Sequence, residues 1–332
     1  MTPNPSTDLD GAGLGAPGLH DPELNARTGR RSRWDFRNGH RGRIRVPRPA
    51  RIGLLLAPAL VVVGVFFVGG VAQAVAQSFG YQPYLTGARL SPAAYTTLWT
   101  DPAVRASLLL TARVAVLSTL AAAVLAVAAA LLIRRLGRSR GWVTGLFQAN
   151  LAVPHLVGAL CMMLLLSQSG LLSRLSRVLG WTAGPAEFPA LTGDWFGWSV
   201  IAEYVWKETP FLTVIVLAAL TRGVSDLEDA ARSLGAGRWQ RLTHVTMPIL
   251  APSLAAGSVL VLAFAAGSYE VPYLLGRPYP ATLPVVALQY DNSTDLSARP
   301  EAMAVAVLIA VSTAIVAAAY LTLLTRLSRR PL

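Results

Sequence analysis

The chain has one cysteine, one lysine and four histidines, and charged residues make up only 14% of its 332 positions. Each shortage removes a class of function. Cys161 has no second cysteine to pair with, so no internal disulfide can form, and its place in an apolar run suits a small packing residue. Lys207 follows Tyr204, Val205 and Trp206, so there is no Gly-x-x-x-x-Gly-Lys phosphate loop and no route to ATP through one. His20, His40, His155 and His244 are scattered without metal-ligand spacing, and no metal or cofactor site is expected in the chain. Gly137, Ser139 and Gly141 fit Gly-x-Ser-x-Gly, but that motif works on a strained turn between strand and helix, whereas here it lies in an arginine-rich loop between apolar runs. No catalytic residue is expected.

What the chain has in abundance is apolar surface, 53% of residues. That is a composition for lipid rather than water. Six runs are long enough to cross a hydrocarbon core of about 30 Å, which takes about 20 helical residues. They lie near Ile52 to Ala76, Ser107 to Ile133, Leu146 to Ser167, Trp198 to Leu220, Pro252 to Leu275 and Ala302 to Leu324. Backbone groups in lipid must bond within their own segment, so the expected fold class is all-α, a polytopic membrane protein of six transmembrane helices.

Arginine placement orients these helices. The tail through Arg51, the loops 134–140 and 222–241 and the C-terminus from Arg326 together carry twenty-one arginines, against six in the alternate segments. By the positive-inside rule both termini and the loop around Asp229 are expected in the cytoplasm of a bacterium, with the chain in its plasma membrane. The net charge of +12 is thereby a topology signal, and no nucleic-acid partner is expected from a basic tail that leads straight into a span. Residues 1–51 are rich in Gly, Pro, Asn and Arg and read as a disordered tail, followed by a first span and outer loop over 52–101. Residues 327–332 read as a cytoplasmic C-terminus.

The polar stretch from Asp229 to Pro248 carries the most information. Ser225 with Glu228 reads as a capping box, which predicts a helix starting at Asp226. Leu227, Ala230, Ala231 and Leu234 then form an apolar stripe, and Gly235 stands where a C-terminal glycine would end a helix of about two turns. So short a helix is unstable alone and needs a partner surface. An ordinary loop with a surface helix is the alternative.

Ionisable side chains inside spans cost about 2.5–3.5 kcal/mol each at the centre, so each asks for a reason. Arg113, Glu203, Lys207, Glu208 and Glu270 are the candidates, all in the outer halves of their spans, which suggests a polar cavity open to that side. Glu203 and Lys207 stand four apart in the favourable order for pairing along one helix. Arg113 and Glu208 suit either an interhelical bridge or solute contact. Glu270, flanked by Tyr269 and Tyr273, offers charge and aromatic faces to a cation.

The stretch Asp229-Ala230-Ala231-Arg232-Ser233-Leu234-Gly235, continued to Val245, Met247 and Pro248, resembles the "EAA" loop of binding-protein-dependent ABC importer permeases. Ala230, Ala231, Gly235 and Pro248 match that pattern outright, while Asp229, Val245 and Met247 depart conservatively. Residues 102–326 as a whole resemble the type I permease domain, with the coupling loop over 222–248. Tyr204-Val205-Trp206-Lys207-Glu208-Thr209-Pro210-Phe211 looks like a segment common in such permeases. Gly267 to Gly276 and Thr282-Leu283-Pro284 are similar to the spermidine and putrescine subgroup, which has relatives for iron, thiamine and aminoethylphosphonate.

The resemblance implies a permease subunit paired with itself or a second permease, two ABC ATPase subunits that hold ATP and magnesium, and an extracytoplasmic solute-binding protein. It implies that Glu228, Asp229, Ala230, Ala231, Arg232, Leu234, Gly235 and Ala236 dock on the ATPase; the ionisable span residues Arg113, Glu203, Lys207, Glu208 and Glu270, with Tyr269, are the candidates for the solute path. Rival classes remain: a secondary transporter or channel without an ATPase, or a membrane-embedded enzyme.

Overall fold

The computed structural model describes residues 48–82, 90–220, 222–295 and 298–328. Most of the expected N-terminal tail and most of the expected C-terminal segment lie outside the described residues. The chain divides into two units, Met1–Ala59 and Leu60–Leu332; of the first, only the opening turns of the first helix are described.

Regular structure is helical throughout the described residues: α1 (Arg48–Ser78), α2 (Ala93–Thr100), α3 (Pro102–Arg135), α4 (Arg140–Leu151), α5 (His155–Leu166), α6 (Leu171–Val178), α7 (Trp198–Ala219), α8 (Arg222–Ser233), α9 (Arg238–Arg241), α10 (Met247–Gly267), α11 (Glu270–Leu275), α12 (Leu283–Asp291) and α13 (Arg299–Ser328). Five stretches are long and apolar enough to cross a membrane: Leu55–Ser78, Pro102–Arg135, His155–Val178, Arg238–Gly267 and Arg299–Thr322. A sixth apolar helix, Trp198–Ala219, meets that measure only together with Gly223–Ser233, from which it is bent by 71°. The all-α, polytopic architecture expected from hydropathy is the one observed.

Two expected spans differ in detail. The run Leu146 to Ser167 is broken at residues 152–154, because Pro154 is extended (φ −62°, ψ 144°) and a proline disfavours the helical conformation of the residue before it. The run Pro252 to Leu275 ends its helix at Gly267, and the short α11 follows after Ser268 and Tyr269.

The centre of the bundle is α3 packed along α7, with α10 against both. Small side chains make the approach close: Ala115, Ser118, Ala122, Ala126 and Ala130 of α3 are buried, with Leu212 and Val216 of α7 and Val261 of α10 filling the space between. A second cluster, Ala94, Leu98, Val104, Leu283, Ala304 and Val305, joins α2, α3, α12 and α13 at the end where α3 begins. The α3–α7–α10 packing continues to the opposite end, where Val224 of α8 meets Val216, Leu220 and Leu250. α1 is apolar on all sides and exposed, from Leu60 through Phe66 and Phe67 to Val71, as a helix facing lipid or another subunit would be.

Candidate functional site

At the α8 end of the bundle, α8 begins at Arg222 and runs three turns, not two, so Ser225 and Glu228 are interior helix residues and no capping box forms. The Glu228 carboxylate is used elsewhere. Its Oε2 lies 2.7 Å from Nη2 of Arg134, in the last turn of α3, and its Oε1 accepts the Thr246 hydroxyl. A charged partner held by tertiary structure outcompetes a local backbone N–H. Burial opposes ionisation of Glu228, but hydrogen bonds from Arg134 and Thr246 and the charges of Arg134 and Arg241 outweigh it and hold the carboxyl below the usual carboxylate range.

Gly235 ends α8 as the sequence implies. Its φ is +86°, the left-handed region that disfavours other L-residues by about 1–2 kcal/mol. The N–H of Ala236 bonds to the Ala231 carbonyl at 3.0 Å and that of Gly235 to Arg232 at 3.0 Å, the paired closure of a Schellman motif. Asp229, Ala230, Arg232, Leu234 and Gly235 are exposed, while Glu228, Ala231 and Ala236 are half-buried. Leu227, Leu234 and Trp239 expose 54%, 88% and 74% of their surface, an unusual concentration of large apolar side chains on a polar loop.

Between α9 and α10 the helix widens into a π segment, Leu242–Thr246. Pro248 causes it. Having no N–H, Pro248 cannot bond to the His244 carbonyl, and its ring would clash there, so the ladder loosens and Met247 N–H reaches back to Leu242 instead. Thr246, which meets Glu228, sits on this segment.

Midway along the bundle the break between α4 and α5 gathers the buried ionisable groups. Glu203, Lys207 and Glu208 of α7 are 0%, 4% and 8% exposed. Lys207 does not pair with Glu203. Its ammonium donates to the carbonyls of Asn150 and Val153, both at 2.6 Å, just past the end of α4; the Asn150 carbonyl also accepts the Val153 N–H at 3.2 Å. The Asn150 side chain donates in turn to the Trp206 carbonyl at 3.1 Å, which Pro210 leaves free. His155, the first residue of α5, places Nδ1 3.4 Å from Glu203 Oε1 and Nε2 3.5 Å from Glu208 Oε1. Its ring packs on Phe264 with centroids 4.5 Å apart. Gly158 admits this geometry, since a Cβ there would stand 2.9 Å from Glu203 Oε1 and 3.1 Å from the Trp206 ring.

The other three candidate path residues form no hydrogen bond or ion pair with this cluster among the described residues, although α11, which carries Glu270, packs on α5 and α7. Arg113 donates to the Trp195 carbonyl at 2.7 Å and stacks over Phe196, 4.5 Å from the ring centroid, so it clamps the segment before α7 rather than bridging to a carboxylate of α7. Glu270 opens α11 and is half-buried between the exposed Tyr269 and Tyr273. His155, Asn150, Arg134 and Thr246 escaped the sequence reading. The signal for two of them was present: a histidine directly after a proline in the middle of an apolar run, and an asparagine one turn before it.

A helical bundle with a charged break in one span, and at its end an exposed helical loop that leaves large apolar side chains unpaired, is the architecture of a membrane permease. The chain belongs to the family of binding-protein-dependent transport system inner membrane components, whose family model matches residues 104–330. It is 30% identical over 177 residues to the trehalose/maltose transport system permease protein MalF of Thermococcus litoralis, covering 52% of this chain and 59% of that one. It is 26% identical over 217 residues to the putrescine transport system permease protein PotI of Escherichia coli, covering 65% of this chain and 70% of that one. The fold matches a chain in the crystal structure of a bacterial alginate ABC transporter in complex with an alginate pentasaccharide-bound periplasmic protein. The TM-score there is 0.66 at 20% identity, over 85% of this chain and 97% of the other.

Proposed function

We propose that this chain is the translocation subunit of an ATP-driven importer, taking a small solute from an extracytoplasmic binding protein and passing it through a bacterial plasma membrane. In this reading it works as a dimer with itself or with a second permease. ATP and magnesium are held by separate ATPase subunits, and both termini face the cytoplasm. The observation that carries it is α8 with its glycine closure: a short helix exposing Leu227 and Leu234 at the arginine-rich end, as a docking element would. Residues 229–236 are the contact, and Glu228 holds that contact to α3 through Arg134. When the ATPase pair closes, α8 moves with it, and the α3 terminus and the π segment carry the movement into the spans.

For the solute, Glu270 between two tyrosines and the carboxylates of Glu203 and Glu208 favour a cation, with a polyamine as the leading class. Lys207 and Arg113 keep their charge while bonded to backbone carbonyls, and Lys207 balances the buried acids beside it, so the half-buried Glu270 is the acid on which the cation reading turns.

Purifying the tagged chain from its native membrane in mild detergent, with partners identified by mass spectrometry, tests the assignment. A co-purifying ATPase that is lost in Gly235→Val is the expected result. Solute movement without ATP by the chain alone would overturn it in favour of a secondary carrier. Uptake of putrescine, reduced by Glu270→Gln while a neutral solute is unaffected, is the expected result for the cation reading.

A further inference from the structure

Beside α8 lies a cavity of about 600 Å³, walled by the last turn of α3, by α8 and by the segment from α9 into α10. Arg134, Arg135, Arg232, Arg238 and Arg241 line it, with Glu228 as the only acid among the described lining residues; Asp229 stands 3.9 Å from Arg232, so three positive charges remain in excess. Glu228 satisfies one nitrogen of Arg134. Arg134 Nη1 and Arg241 Nε are buried and have no hydrogen-bond partner among the described residues. The rest of the wall is Thr246, whose hydroxyl is taken by Glu228, and the apolar Leu131, Leu242 and largely exposed Trp239.

We propose that this cavity binds a phosphate group, and that the group belongs to an anionic phospholipid. Guanidinium groups converging with free N–H donors are suited to a planar or tetrahedral oxyanion, which takes parallel hydrogen bonds from each fork. A purely solvated arginine face would not leave two donors buried and unpaired, since such groups cost about 1–3 kcal/mol each. The position selects among phosphates. The cavity stands where α3 ends and α10 begins, at the boundary of the hydrocarbon region, where basic pockets between helices meet lipid headgroups and tryptophan sits at the interface. The apolar wall then receives the start of the acyl chains, which a free phosphate would leave bare. Because α8 forms one side of the cavity, a bound headgroup ties the docking helix to the bilayer surface. The inference rests on the helical membrane fold and not on which solute is carried.

The test is binding by the full chain, purified with the subunits it brings from its membrane. Dioctanoyl phosphatidylglycerol, dioctanoyl phosphatidylcholine and inorganic phosphate are titrated separately. Phosphatidylglycerol is expected to bind roughly tenfold or more tighter than phosphatidylcholine, and to weaken by a similar factor in Arg238→Gln/Arg241→Gln and at high salt. Arg177→Gln, on the exposed face of α6, is expected to change nothing. Inorganic phosphate matching the lipid would keep the phosphate site but move its source to the cytosol, overturning the lipid assignment. Equal binding of the two lipids, or a preference untouched by the double substitution, would overturn the proposal. So would the double substitution abolishing a subunit contact while lipid binding persists, which would make the cavity a protein-docking surface. Should the double variant not fold, Arg135→Gln, at an exposed position, is expected to weaken phosphatidylglycerol binding severalfold and carries the same alternatives.

Discussion

Lys207 and Asn150 each donate a hydrogen bond to the break in the other's helix. Lys207 caps the carbonyl of Asn150 at 2.6 Å where α4 stops, and the Asn150 amide takes the Trp206 carbonyl at 3.1 Å that Pro210 abandons in α7. Two interruptions that would each leave polar backbone in hydrocarbon are placed side by side and satisfy one another. The only lysine of the chain is therefore a structural cation, and the neighbouring acids depend on it for charge balance.

Lys207→Met should lower the thermal midpoint in detergent by several degrees, because it strands the Val153 carbonyl, removes the second donor of Asn150 and leaves Glu203 and Glu208 without a nearby fixed cation. Adding Glu208→Gln should restore part of the loss, so the double variant is more stable than the sum of the singles predicts. Strict additivity in a thermal unfolding series would show that these groups do not share one electrostatic site.

Gly235 is surrounded by open space, so its requirement is conformational rather than steric. Gly235→Asn should retain most uptake, since asparagine tolerates the left-handed region, whereas Gly235→Val should lose it while total protein in the membrane is unchanged. Uptake measured against membrane abundance distinguishes the two; equal activity of both would remove the closure of α8 from the mechanism.

Gly158→Ala should destabilise by about 1–3 kcal/mol, because the added methyl overlaps the Glu203 carboxylate and the Trp206 ring and forces α5 away from α7. Thermal unfolding of the purified chain measures it, and an unchanged midpoint would mean the two helices are not in contact at this point.

Glu228 titrates below the ordinary carboxylate value of about 4.3. Its charged form is favoured by the fold, so its contribution to stability is complete above the unfolded pKa and is lost as pH falls through the lower native one. Glu228→Gln should be less stable than the parent at neutral pH, and the two should converge only at more acid pH. A difference that is constant from neutral pH down to strongly acid conditions would exclude the Arg134 contact as its origin.

Hydropathy made the helices legible, because a span declares itself within its own twenty residues. Gly235 was legible for the same reason: the αL closure is written in the glycine and the four residues before it. The broken third span was not, since Ala152, Val153 and Pro154 are apolar or neutral and a window average passes over them. Pairing Glu203 with Lys207 followed a rule of local spacing, yet Lys207 found carbonyls 57 and 54 residues away. Glu228 misled in the same manner, forming its ion pair with a residue 94 positions distant instead of capping its own helix.

The widened turn before Pro248 also fixes an angle. One extra residue in a helical ladder rotates everything upstream by about 100° about the axis relative to an unbroken helix. The azimuth of Arg238, Trp239 and Arg241 with respect to α10 is therefore written in a single inserted residue, and deleting any one position between Leu242 and Thr246 would re-aim all three side chains at once. The proline works as the index mark of a dial, setting which way the loop faces while α10 stays where it is.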